Sequence, residues 1–177
     1  DFFGVEDDRI IEIYNTLSDK MNLVIWHDVW RHPSLERRKP DWWEGEYSIA
    51  AKSFSLKNSS IKIRNYINGL KHKVAINQDH LYILLFICEL YDFYADKLET
   101  HNYLRQKLML KKIIEELEKS GTDKSKLESE KEKIIKTLSS INLREMLDKN
   151  MEALKNLKDR YREIWLTYYK EANLKMI

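Results

Sequence analysis

From Asp79 to Lys119 the chain carries its longest unbroken helical pattern, a stretch that contains neither glycine nor proline. Leu81, Leu84, Cys88, Tyr91, Ala95 and Leu98 recur on one face, and Leu110, Ile113, Ile114 and Leu117 continue the stripe. A straight helix over this span would be roughly 60 Å long, so a kink or break is expected near His101-Asn102. Asp79 reads as its N-cap. Ser120-Gly121-Thr122-Asp123 then supplies a terminator followed by a cap, the signature of an αα-hairpin.

The rest of the chain agrees with a helical solution. Only four Gly and two Pro occur, while Lys, Glu, Leu and Ile dominate, and no alternating segment is long enough to build a sheet. A chain of 177 residues suits a single domain burying roughly 70% of its extended-chain surface. The expected fold is all-α, a four- to five-helix bundle with two long antiparallel helices and one long Trp-containing loop.

Glu6, Asp7 and Asp8 place negative charge at the start of a first helix whose apolar face is Ile10, Tyr14, Leu17, Met21 and Val24. His32-Pro33 stops it, because proline lacks an N–H and forces its predecessor out of the α region. Residues 34–60 keep no helical period and read as a long connection, with a short helix at about 47–54. Ser60 then caps a helix carrying Ile61, Ile63, Tyr66, Ile67 and Leu70 and ending near Lys73.

The return limb of the hairpin, residues 123–172, presents Leu127, Ile134, Leu138 and Ile141, with Lys131 in one apolar slot. Asn142-Leu-Arg-Glu145 has the form of a capping box, so the chain bends or restarts there. Leu143, Leu147, Leu154, Leu157, Tyr161, Ile164 and Tyr168 follow a near-heptad spacing. The dense charge of residues 111–136 fits a hairpin tip in solvent, with ion pairs along its faces.

Charge and cysteine content narrow the function classes. Thirty-one basic and twenty-nine acidic residues are interspersed and leave +2, a solvated surface with no nucleic-acid footprint. Cys88 stands alone in the run Leu81–Cys88, so it reads as a buried thiol in a reducing, cytoplasmic setting. That run is far shorter than the roughly 20 residues needed to span a bilayer, so no membrane partner is expected. The opening Asp1-Phe-Phe-Gly4, without an initiator Met, and the close at Lys175-Met-Ile177 are expected of a piece of a longer chain.

Chemistry-bearing motifs are sparse. The five histidines, at 27, 32, 72, 80 and 101, do not pair at i,i+3 or i,i+4 beside a second ligand, and no phosphate-cradling, nucleophile-elbow or zincin motif occurs. No metal, cofactor or catalytic residue is assigned. The best candidate site is Trp42, Trp43, Glu44 and Glu46 with Asp41, since indoles stack on sugar faces and carboxylates bind hydroxyls. A loop pinned to the bundle by its two tryptophans is the plainer reading of the same residues. Trp26, Trp30 and Trp165 sit at helical spacing and read as core.

Leu104-Arg105 on the outgoing helix, then Tyr161-Arg-Glu-Ile-Trp-Leu166 and Asn173-Leu174 on the return, carry a family resemblance. This pattern resembles the helical C-terminal region of bacterial family 20 glycoside hydrolases, the β-N-acetylhexosaminidases, over residues 79–174. In that family catalysis belongs to a (β/α)8 barrel with an Asp-Glu pair. Asp96 and Glu99 lie within a helical pattern and do not match it. The resemblance therefore implies a noncatalytic accessory domain whose partner is an N-terminal catalytic domain of the same protein, acting on N-acetylhexosaminides. A helical interaction or dimerisation module, forming a homodimer through 79–119 and 142–168, is the alternative. A carbohydrate-binding module that holds an amino sugar or glycan on Trp42-Trp43 is a third reading.

Overall fold

A computed structural model of the chain describes residues 2–24, 29, 49–119, 124–139 and 142–169. Every regular element among them is helical, as the composition requires: α1 (Asp8–Ser18), a 3-10 turn (Lys20–Asn22), α2 (Ile49–Leu70), α3 (Asp79–Lys119), α4 (Lys124–Ser139) and α5 (Leu143–Tyr169). Helix α3 lies at the centre, packing on α2 along one side and on α5 along another, while α1 packs on α2. The core is built on Leu56, Ile63, Ile67 and Leu70 of α2, Leu81, Leu84, Cys88, Leu90, Tyr91, Phe93, Tyr94, Ala95 and Leu98 of α3, and Leu157 of α5, joined by Phe3, Ile13, Val29 and Val74. Each fully buried Leu or Ile contributes about 1.5–3 kcal/mol of apolar transfer energy.

Several boundaries follow the sequence signals. The Asp7 side chain accepts from Arg9 N at 3.2 Å and caps α1. At the start of α5, Glu145 N donates to Asn142 Oδ1 at 3.2 Å, and Asn142 Nδ2 donates to Glu145 Oε2 at 3.2 Å. The return limb is thus two helices, restarting at the expected capping box. The Ser120–Asp123 turn, His32-Pro33, Trp26, Trp30 and Ile141 lie outside the described residues.

Other boundaries differ. Helix α1 ends at Ser18, where Asp19 accepts from Met21 N at 2.8 Å and opens the 3-10 turn. Its buried residues are Ile13 and Thr16, with Tyr14 exposed. The Thr16 hydroxyl donates to Glu12 O at 2.7 Å, which satisfies it at a buried position, and the buried face is rotated from the apolar stripe. Asn22 Nδ2 donates to Thr16 O at 2.7 Å and closes the helix end.

The short helix expected at about 47–54 is helical from Ile49 on; the larger correction concerns residues 55–60, which continue it as part of α2 and are not a connection. Ser60, read as a cap, lies buried in mid-helix with its hydroxyl on Cys88 O at 3.2 Å. Ser53 stands seven residues earlier, its hydroxyl 3.1 Å from Ala95 O and 3.0 Å from Glu99 Oε1. Small side chains at this spacing let α2 approach α3 closely enough for serine to reach the facing backbone. At its other end α2 stops at Leu70.

Helix α3 is continuous through His101-Asn102. Asp79 is its first helical residue rather than its cap, with Asn77 O and Gln78 O accepting from His80 N and Leu81 N. No helix among the described residues is long and apolar enough to cross a membrane.

Candidate functional site

Trp42, Trp43, Glu44 and Glu46, with Asp41, lie outside the described residues. Among the described residues, the surface shared by α2 and α3 carries the densest polar chemistry. Two lysines are buried there, Lys52 at 2% exposure and Lys97 at 8%. Lys52 Nζ donates to Leu23 O at 2.5 Å, and Lys97 Nζ donates to Val29 O at 2.6 Å. Lys97 also stands 5.9 Å over the Phe93 ring. A buried ammonium is tolerated only when oxygen or π density replaces its water, so the two side chains anchor the backbone carbonyls of Leu23 and Val29.

Beside these anchors runs a ladder of ion pairs between α2 and α3. Lys57 Nζ lies 2.9 Å from Asp96 Oδ1 and 3.0 Å from Glu99 Oε1, and Arg64 Nη1 lies 2.6 Å from Asp92 Oδ2. Arg64 also donates to Ser60 Oγ at 2.8 Å. Desolvation opposes the charge on Lys57, yet the hydrogen bonds it donates to Asp96 and Glu99 outweigh it and leave its pKa raised. Asp96 and Glu99 thus both accept from Lys57 across the α2–α3 seam.

A second polar contact crosses from α3 to α5. Asn150 Nδ2 donates to Thr100 Oγ1 at 2.6 Å and to Met146 O at 2.9 Å. Asn150 is 8% exposed, and its Oδ1 is buried with no hydrogen-bond partner among the described residues. It occupies the heptad slot between Leu147 and Leu154 that the apolar stripe skips.

The hexad Tyr161–Leu166 lies on α5, where the Tyr161 ring is 5.9 Å from Phe86 and 6.1 Å from Trp165. Ile164 and Trp165 are half-buried. In this bundle the hexad joins the end of α5 to the beginning of α3, and its aromatics act first as packing groups.

Cys88 is fully buried, and burial pushes its thiol up to about 11. The thiolate needed for nucleophilic or metal chemistry is disfavoured at neutral pH. Among the described residues no group of three or more His, Cys, Asp or Glu side chains is arranged to hold a metal ion. His80 packs edge-on against Phe2 and Phe3, and His101 is buried.

The remaining distinctive surface is the far half of α3. From Asn102 to Lys119 no described side chain is buried. Leu108, Met109 and Ile113 are 57%, 63% and 38% exposed. Helix α4 packs on α3 here, with Lys131 and Glu118 forming an ion pair across the hairpin. Lys131 thus occupies its apolar slot as an ion-pair partner. Comparison of the chain with family models, curated proteins and solved structures finds no match.

Proposed function

We propose that this chain is a noncatalytic helical interaction module in which a packed base carries a projecting two-helix arm. The observation that carries this reading is the exposure of Leu108, Met109 and Ile113 where α3 outruns its cover by α2. Apolar side chains clustered on a long, ion-paired helix supply contact area without destabilising the base, which holds its own core. Cytoplasmic residence belongs to the same proposal, supported by a lone, buried thiol.

The test places a photo-crosslinking residue at Met109 on the arm or at Asn65 on the exposed side of α2. Macromolecular adducts are expected from position 109 and not from position 65. Equal labelling, or none from either position, overturns the proposal.

A second reading rests on the resemblance carried by the Tyr161–Leu166 hexad. Here the partner is the catalytic domain of a β-N-acetylhexosaminidase-type glycoside hydrolase, and Trp42, Trp43, Glu44 and Glu46 border its sugar site. The isolated chain is expected to show no turnover of aryl N-acetylhexosaminides. N-acetylglucosamine should quench tryptophan fluorescence in the wild type and not in Trp42→Ala if the loop binds sugar by itself. Absence of any wild-type response removes the carbohydrate-binding version.

A further inference from the structure

The exposed face of the arm has an order along the helix that is complementary to its own reverse. At 100° per residue, Arg105, Leu108, Met109, Lys112, Ile113 and Glu116 share one sector of α3, opposite the half-buried Leu110 and Ile114. The sector begins with a cation, carries its apolar side chains in the middle and ends with an anion. Arg105, Lys112 and Glu116 form no ion pair with any described residue.

Two copies of this helix laid antiparallel, with the two-fold axis near Leu110 and Lys111, bring Arg105 opposite Glu116 of the second copy and Leu108 opposite its Ile113. The Lys112 stem then lies against Met109 of the second copy. By symmetry every contact occurs twice, which is the self-complementarity an isologous interface requires. A parallel arrangement instead sets Arg105 against Arg105 and Glu116 against Glu116, which like-charge repulsion disfavours.

We infer that the arm pairs with a second copy of this chain, antiparallel through the Arg105–Glu116 face of α3. This rests on reading the chain as an interaction module and names the partner. The contact runs over about three helical turns, so it buries an area at the low end for specific interfaces and gives a weak, reversible dimer.

Sedimentation of the full chain over a concentration series tests it, with Arg105→Glu, Glu116→Arg and the double reversal compared with wild type. Wild type is expected to move from monomer to dimer as concentration rises. Each single reversal opposes like charges at two symmetric sites and should weaken the dimer by about tenfold or more. The double reversal restores opposite charges at both sites and should recover wild-type association within about threefold. Urea midpoints of all three variants should match wild type, because the substituted side chains are exposed.

A monomer at every concentration overturns the inference, as does a dimer indifferent to the single reversals or one not rescued by the double. If the chain stays monomeric while the crosslinker at position 109 still labels another protein, the module reading stands and the second copy is excluded. If the chain is monomeric and position 109 labels nothing, both fail.

Discussion

The two halves of α3 carry the same kind of apolar periodicity and meet opposite fates. Between Leu81 and Leu98 the stripe is buried, with Leu84, Cys88, Tyr91 and Ala95 covered by neighbouring helices. Between Asn102 and Lys119, Leu110 and Ile114 are only half-buried, and Leu108 and Met109 face solvent. The difference lies in the partners. Helix α2 begins at Ile49 and packs on α3 along the first half, with Ser53 already opposite Ala95 and Glu99. A stripe therefore states that a face benefits from cover, while its burial depends on the reach of other elements.

The largest expected contrast comes from equivalent truncations in the two halves. Leu98→Ala should cost about 2–5 kcal/mol in urea unfolding, since the cavity opens inside the α2–α3 seam. Leu108→Ala should cost under about 0.5 kcal/mol. Similar costs at both positions would erase the distinction between base and arm.

The buried anchors of the base give the next effect. Lys52→Ala removes a charge-assisted hydrogen bond from Leu23 O and should lower stability by about 2–3 kcal/mol, whereas Lys111→Ala on the arm should leave the midpoint nearly unchanged.

The junction between the halves gives a smaller effect, of opposite sign for its two partners. Thr100→Val leaves the Asn150 amide without an acceptor at Oγ1 and should cost about 1–2 kcal/mol. Asn150→Leu removes a buried orphan oxygen and should raise stability by about 1 kcal/mol. A fall in stability for Asn150→Leu would mean that Oδ1 has a partner, such as a bound water.

A separate effect appears in alkali. The Cys88 thiol ionises at about 11 in the fold against 9.0 ordinarily, with burial as the main cause. A raised pKa contributes stability fully present below the ordinary value and lost as pH rises through the folded one. The base should therefore weaken between pH 9 and 11, and Cys88→Ser should flatten that part of the profile. Ellman's reagent should label Cys88 only on unfolding; rapid labelling of the native chain would contradict its burial.

Much of the fold was legible because it rests on local rules. The Asp7 cap, the Asn142-Glu145 box and the buried Cys88 each follow from residue type and spacing. The continuity of α2 through 55–60 is hidden because Lys52, Ser53, Ser59 and Ser60 look like loop composition, yet all four are buried. Stepping back by three and four from Ile63 through Ser59 and Leu56 reaches Lys52, so position alone could have extended α2. No local rule says that a lysine will find a carbonyl, and Lys97 was passed over within its stripe for the same reason. Asn150 was legible as a gap in the heptad; its pairing with Thr100 depends on tertiary register. The candidate loop at Trp42-Trp43 was proposed from residue types alone, and its residues lie outside those the structure describes.

The continuity of α3 through His101-Asn102 has a mechanical consequence. Helix hydrogen bonds carry bending load, so the arm from Asn102 to Lys119 is a lever about 27 Å long fixed to the core at one end. Tilting α3 by about 5° within the base would carry the tip of the arm through roughly 2 Å. Conversely, a partner that holds the tip applies torque to the seam where Thr100 meets Asn150.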